Sequence, residues 1–182
     1  MLSYSMANGD ESNKGEVCAG MMSIDLKDEV DDVQWKSVND GVMGGRSMGS
    51  SYLTEAGNRM FKGTISLENN GGFSSVRTSG GKYDLSDYEG VEVKVRGDGR
   101  MYYFTARADR KRMLAYWFPV QTKAGEWMTV RVPFRFMYAT SFGKKVKRAE
   151  LNTKNITSFG LMLYDKKAGD FAIELESMKV YK

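Results

Sequence analysis

The period of its apolar residues constrains this chain more than any other feature. From Trp35 onward they recur at every second position in short runs, and each run stops at glycine, asparagine, aspartate or proline. Alternation of that kind gives a β-strand one face for a core and one for water. Val91-Glu92-Val93-Lys94-Val95-Arg96 is the clearest case, and after Gly97-Asp98-Gly99 it is followed by Met101-Tyr102-Tyr103-Phe104-Thr105-Ala106-Arg107. That spacing predicts a hairpin. Met128, Val130 and Val132 share a face, and Pro133 then ends the run or places it at a sheet edge, because proline brings no N–H to a ladder. Phe159, Leu161 and Leu163 repeat the pattern, as do Phe171, Ile173 and Leu175, with a turn over 165–170 between them. Further strands are expected over 47–53, 60–67, 73–78 and 113–118, roughly nine or ten in all, at the spacing of a sandwich or barrel. Long amphipathic helices are missing, and the cation-rich stretch 144–151 reads as an exposed loop.

Composition narrows the class. A chain of 182 residues supports one well-packed core, expected over 32–182 behind a flexible acidic tail at 1–31. The tail follows from charge: residues 1–32 hold eight acids and two bases, the remainder fifteen acids and twenty-five bases. A basic body is compatible with an anionic partner, although surplus lysine also serves solubility. The chain has no histidine, which removes Ser-His-Asp, Cys-His and His-ligated metal chemistry together. Cys18 is the single thiol, so no internal disulfide forms. Any metal would need oxygen donors, as in a calcium-binding Asp/Asn-rich loop. No apolar run is long enough to span a bilayer as a helix. With no recognisable signal or transit peptide, the expectation is a soluble protein of the cytoplasm or an organellar lumen.

Two glycine-punctuated segments carry the remaining information. The first is Trp35-Lys36-Ser37-Val38-Asn39-Asp40-Gly41-Val42-Met43-Gly44-Gly45-Arg46-Ser47, and the second Asn69-Asn70-Gly71-Gly72-Phe73-Ser74-Ser75-Val76-Arg77. Serial glycines can aim backbone N–H groups at an anion, but no helix follows and no Gly-Lys-Ser/Thr closes the first segment. A bent loop in which Asn39 and Asp40 bond its own amides is the favoured reading. In the second segment Asn-Asn-Gly-Gly suits a hairpin turn or a bulge. Arg77 would lie on a sheet face, clamping a carboxylate through its rigid fork or pairing internally with Asp40. Tyr102, Tyr103, Arg107, Tyr116 and Trp117 fall on neighbouring strands, so some of them face outward. Glu68, Asp109, Glu126 and Asp165 sit near strand ends but yield no catalytic pair.

These motifs, with Phe61-x-Gly63-x-Ile65-Ser66-Leu67-Glu68-Asn69-Asn70-Gly71-Gly72-Phe73, Gly125-Glu126-Trp127, Val132-Pro133-Phe134, Ile156-Thr157-Ser158-Phe159-Gly160 and Lys179-Val180-Tyr181, resemble the complex I intermediate-associated protein family. The likeness runs over about 32–182. It implies an all-β jelly-roll β-sandwich like galactose-binding domains, no catalysis, no cofactor and no metal. It also implies a chaperone-like role in assembling respiratory complex I, hence a protein subunit as partner. Trp35, Asn39, Asp40, Met43, Arg46, Ser47, Asn70, Phe73, Arg77, Tyr103, Arg107 and Trp117 are the candidate contacts for a partner or ligand. The alternative expectation is a jelly-roll carbohydrate-binding module using exposed Tyr and Trp. No nucleic-acid partner is expected.

Overall fold

A computed structural model describes residues 23–26, 34–109 and 113–182. Most of the expected tail, and Cys18 with it, lies outside them. Twelve strands run in order: β1 (Gln34–Asn39), β2 (Met48–Leu53), β3 (Arg59–Ile65), β4 (Ser74–Ser79), β5 (Gly90–Arg96), β6 (Met101–Ala108), β7 (Ala115–Gln121), β8 (Trp127–Pro133), β9 (Tyr138–Ser141), β10 (Lys144–Lys145), β11 (Ile156–Leu163) and β12 (Gly169–Tyr181). The only helical pieces among the described residues are short 3-10 turns.

The strands form two sheets. One has seven strands in the order β1-β4-β11-β6-β7-β9-β10, the other five in the order β2-β3-β12-β5-β8, and every pair of neighbouring strands is antiparallel. Alternation does what it predicts. Val91, Val93 and Val95 of β5 and Ile173 and Leu175 of β12 bury completely from the smaller sheet. Val76 of β4, Phe104 of β6 and Phe159, Leu161 and Leu163 of β11 bury from the larger one. This jelly-roll sandwich is the architecture the sequence implied. β8 is an edge strand, as Pro133 foretold.

One expectation is overturned. Gly97-Asp98-Gly99 does not close a hairpin, because β5 and β6 belong to different sheets. The segment is an arch over the end of the core, and Asp98 holds it there. Its carboxylate accepts from the Tyr102 hydroxyl at 2.9 Å and from the Ala172 N–H of β12 at 2.9 Å. Two strands that each bury one face can pair side by side or face one another across the core, and alternation is identical in both cases. The links β3 to β4 and β11 to β12 are arches of the same kind. The second of these is gripped by Arg100. Its guanidinium takes both oxygens of Asp165, at 2.9 and 2.7 Å, and the carbonyls of Gly169 (3.1 Å), Asp170 (3.0 Å) and Lys167.

The body also begins before residue 32. Ile24 donates its N–H to the Met178 carbonyl at 2.8 Å, Ile24 and Leu26 are buried, and the Leu26 carbonyl accepts from the fully buried Arg59.

The two outer faces differ. On the five-stranded sheet, Lys94–Glu176, Arg96–Glu174 and Arg131–Glu92 form ion pairs of 2.7, 2.6 and 3.0 Å. On the seven-stranded sheet the outer face holds a pocket.

Candidate binding site

The pocket floor is the outward half of the alternation on five strands. Val38 comes from β1, Ser75 and Arg77 from β4, Met162 from β11, Thr105 and Arg107 from β6, and Ala115 and Trp117 from β7. Gly160 of β11 lies opposite Arg77 on one side and Thr105 on the other, where the strands come too close for a Cβ. The space is about 430 Å³, within the range of small-ligand sites and large enough for a few side chains.

Its rim is built by the two glycine segments. Asp40 is fully buried between them. Its carboxylate accepts from Ser47 N–H (2.8 Å) on the first segment and from Gly72 N–H (2.7 Å) and Phe73 N–H (3.3 Å) on the second. Burial pushes this carboxyl toward neutrality, but the hydrogen bonds from Ser47, Gly72 and Phe73 outweigh it and hold the pKa below the ordinary value. Glycine is required for the approach. A Cβ on Gly45 would stand 2.3 Å from Asp40 Cγ, and one on Gly71 2.6 Å from Oδ2. Asn39 adds a second tie, exchanging hydrogen bonds with Gly49 N–H and C=O at 3.1 and 3.2 Å and accepting from Ser74 Oγ at 2.6 Å. Thus pinned, the loops hold Val42 and Met43 at the rim with 77% and 60% of their surfaces exposed. Met113 and Phe142, 57% and 77% exposed, line the same pocket. Four large apolar side chains round one cavity form the kind of exposed patch that marks an interaction site.

The floor is electropositive. The Arg77 guanidinium makes no hydrogen bond or ion pair among the described residues, and burial pulls its pKa down. The expected internal partner is otherwise occupied, because Asp40 serves the loop amides. Arg107 donates to the Leu114 carbonyl at 3.1 Å. Its pKa is pushed down to about 10, by burial first and then by the Arg77 charge. Among the described residues, no acidic side chain lines the pocket.

The expected contacts therefore divide. Met43, Asn70, Phe73, Arg77, Arg107 and Trp117 line the pocket. Asn39, Asp40 and Ser47 lie beneath the rim as scaffold, Ser47 exchanging hydrogen bonds with Ser66 at 3.1 and 3.0 Å. Trp35 packs against the core with Arg59 over its ring. Arg46 pairs with Glu68 at the surface, at 2.8 Å. Tyr103 stands behind Trp117, ring centres 5.1 Å apart. Phe142, Met113 and Lys166 were not anticipated, since they sit in turns whose sequence carries no binding signature, and Val42 was passed over although it lies in the first glycine segment. Each carboxylate singled out at a strand end has an internal contact: Glu68 with Arg46, Asp109 with Asn152 and Asn155, Glu126 with Lys123 and Asp165 with Arg100. Among the described residues, no cluster of acids could hold a metal ion.

The profile of the family described as Complex I intermediate-associated protein 30 (CIA30) matches residues 24–175. The chain belongs to the CIA30 family. A curated relative, "Complex I intermediate-associated protein 30, mitochondrial" of Drosophila melanogaster, is 25% identical over 79% of this chain and 56% of its own length. The Mus musculus protein of the same name is 29% identical over 54% of this chain and 32% of its own length. The chain thus spans about a third to a little over half of these CIA30 relatives. Among solved structures, the family 11 carbohydrate-binding module of Clostridium thermocellum, in complex with a β-1,3-1,4-mixed-linked tetrasaccharide, is 14% identical with a TM-score of 0.62, covering 89% of this chain and 95% of that one. The agarase AgWH50C gives 11% identity and a TM-score of 0.61 over 90% of this chain and 24% of that enzyme. At such identities the likeness is one of fold.

Proposed function

We propose that this CIA30-family domain is a non-catalytic protein-binding module that assists assembly of a multisubunit complex, and that it docks through the pocket on the seven-stranded sheet. The names of its relatives record association with a complex I intermediate, which makes respiratory complex I the first candidate. The observation that carries the reading is the ring of Val42, Met43, Met113 and Phe142 about the pocket mouth. Exposed large apolar side chains on a rigid rim gain free energy only when a partner covers them.

The carbohydrate alternative needs an aromatic face open for stacking on a sugar ring. Trp117 is only 8% exposed, enclosed by Tyr103, Tyr138 and Tyr164. Trp127, Tyr138 and Tyr164 carry a cation over the ring, from Arg96, Lys145 and Lys166 respectively, and Phe142 is the aromatic left open at the mouth. These coverings favour a protein partner over a glycan.

Affinity purification from the native host tests the proposal. Wild type is expected to retain subunits of one complex, which Met43→Asp and Phe142→Asp lose while melting at the wild-type temperature. Oligosaccharide titration that moves tryptophan fluorescence, with no subunit retained, would favour the glycan reading instead.

A further inference from the structure

The pocket joins two features that are seldom adjacent, an apolar mouth and a floor of half-buried arginine. Arg77 has lost much of its water and gained no acceptor among the described residues, with Arg107 close enough for their charges to repel. A guanidinium in that position is satisfied by an anion arriving from outside. The surroundings select the kind of anion. Thr105 offers a hydroxyl on the floor across Gly160 from Arg77, the Ser75 hydroxyl being spent on the Val38 carbonyl at 3.0 Å, while Val42, Met43 and Phe142 stand above. An acid attached to an apolar neighbour matches both levels, whereas a free ion would leave the mouth uncovered.

Resting on the protein-binding reading above, we infer that the pocket recognises an acidic side chain of its partner, whose carboxylate bonds to Arg77 beside the charge of Arg107 while an apolar residue next to it is covered by Met43, Val42 and Phe142. Charge complementarity argues for it, since no acid among the described residues lines the pocket and Lys166 adds a further cation there.

A positional-scanning library of short peptides, acetylated and amidated so that only side chains carry charge, provides the test with the full chain as bait. Wild type should enrich Asp or Glu at one position beside a large apolar residue, and added sodium chloride should weaken binding of the selected peptide. Arg77→Gln should weaken that peptide by about tenfold or more. Arg77→Glu should reverse the preference at the acidic position to Lys or Arg, an outcome that a merely misfolded variant cannot produce. Enrichment of apolar residues alone, abolished by Phe142→Asp but not by Arg77→Gln, would overturn the carboxylate assignment and leave the protein-binding reading intact. An acidic preference that persists in Arg77→Gln would also overturn it, as would inorganic phosphate or free glutarate binding as tightly as the peptide. No enrichment from the library at all would count against both readings.

Discussion

Asp40 connects residue chemistry to the shape of the site. Three backbone N–H groups from two distant segments converge on one buried carboxylate, one on Oδ1 and two on Oδ2, so a replacement with a single acceptor oxygen strands at least one of them. Asp40→Asn puts an amide NH₂ where an acceptor is needed. It is expected to cost about 2 kcal/mol or more, read from urea unfolding. The pH dependence has a definite sign. A carboxyl whose folded pKa lies below its unfolded value of 3.8 adds stability that is present above that value and is lost as pH falls through the folded one. Asp165 and Glu174 are depressed as well, each because hydrogen bonds and a facing arginine outweigh the opposing effect of burial. Melting temperature should hold near neutrality and drop below about pH 4, less steeply in Asp40→Asn. The glycines can be sorted in the same way. Gly45→Ala drives a methyl into the Asp40 carboxylate, whereas Gly41→Ala meets nothing within 4 Å. The first should be the more destabilising by about 1–3 kcal/mol.

At the scale of elements, the pairing of β4 with β11 governs the pocket. A Cβ at Gly160 would come within 2.3 Å of the Val76 carbonyl and 2.8 Å of Arg77 Cβ. Gly160→Ala is therefore expected to loosen this ladder, speeding amide exchange at Val76, Arg77 and Leu161 before other strands respond. It should also weaken peptide capture, because Arg77 shifts with its strand. The strands themselves were legible in the sequence, since β5, β6, β11 and β12 each write their burial as alternation. Their partners were not. Gly97-Asp98-Gly99 satisfies the composition of a hairpin turn, and only the reach of Asp98 to Ala172 distinguishes an arch. The short β9 and β10 escaped notice because strands of four and two residues leave too little pattern to read.

Across the whole molecule, the site depends on strand order, which no local motif encodes. Arg77 and Arg107 are thirty residues apart and meet because β11 lies between β4 and β6. The glycine-bearing stretches 40–47 and 69–73 were recognisable as bent loops from their composition, whereas Trp35–Asn39 of the first segment is strand β1, and a buried acid holds Met43 and Phe73 at the pocket. Phe142 had no comparable signal, being one aromatic in a turn. The Arg100 clamp sits at the opposite extreme of burial from these rim residues, with 12% of its side chain and 5% of Asp165 exposed. Arg100→Gln should leave Asp165 charged, buried and poorly matched, lowering stability by about 3 kcal/mol in a thermal or urea melt.

The Arg100 corner has a consequence for the conditions under which the fold endures. A carboxylate and three carbonyl oxygens turned toward one point are the kind of donors that hard cations favour, and here the point is filled by a charge that belongs to the chain. Being covalently attached, that counter-ion is never diluted away and never competes with other binders for supply. The arch between β11 and β12 should stay closed whether the surroundings are rich in calcium or stripped by a chelator.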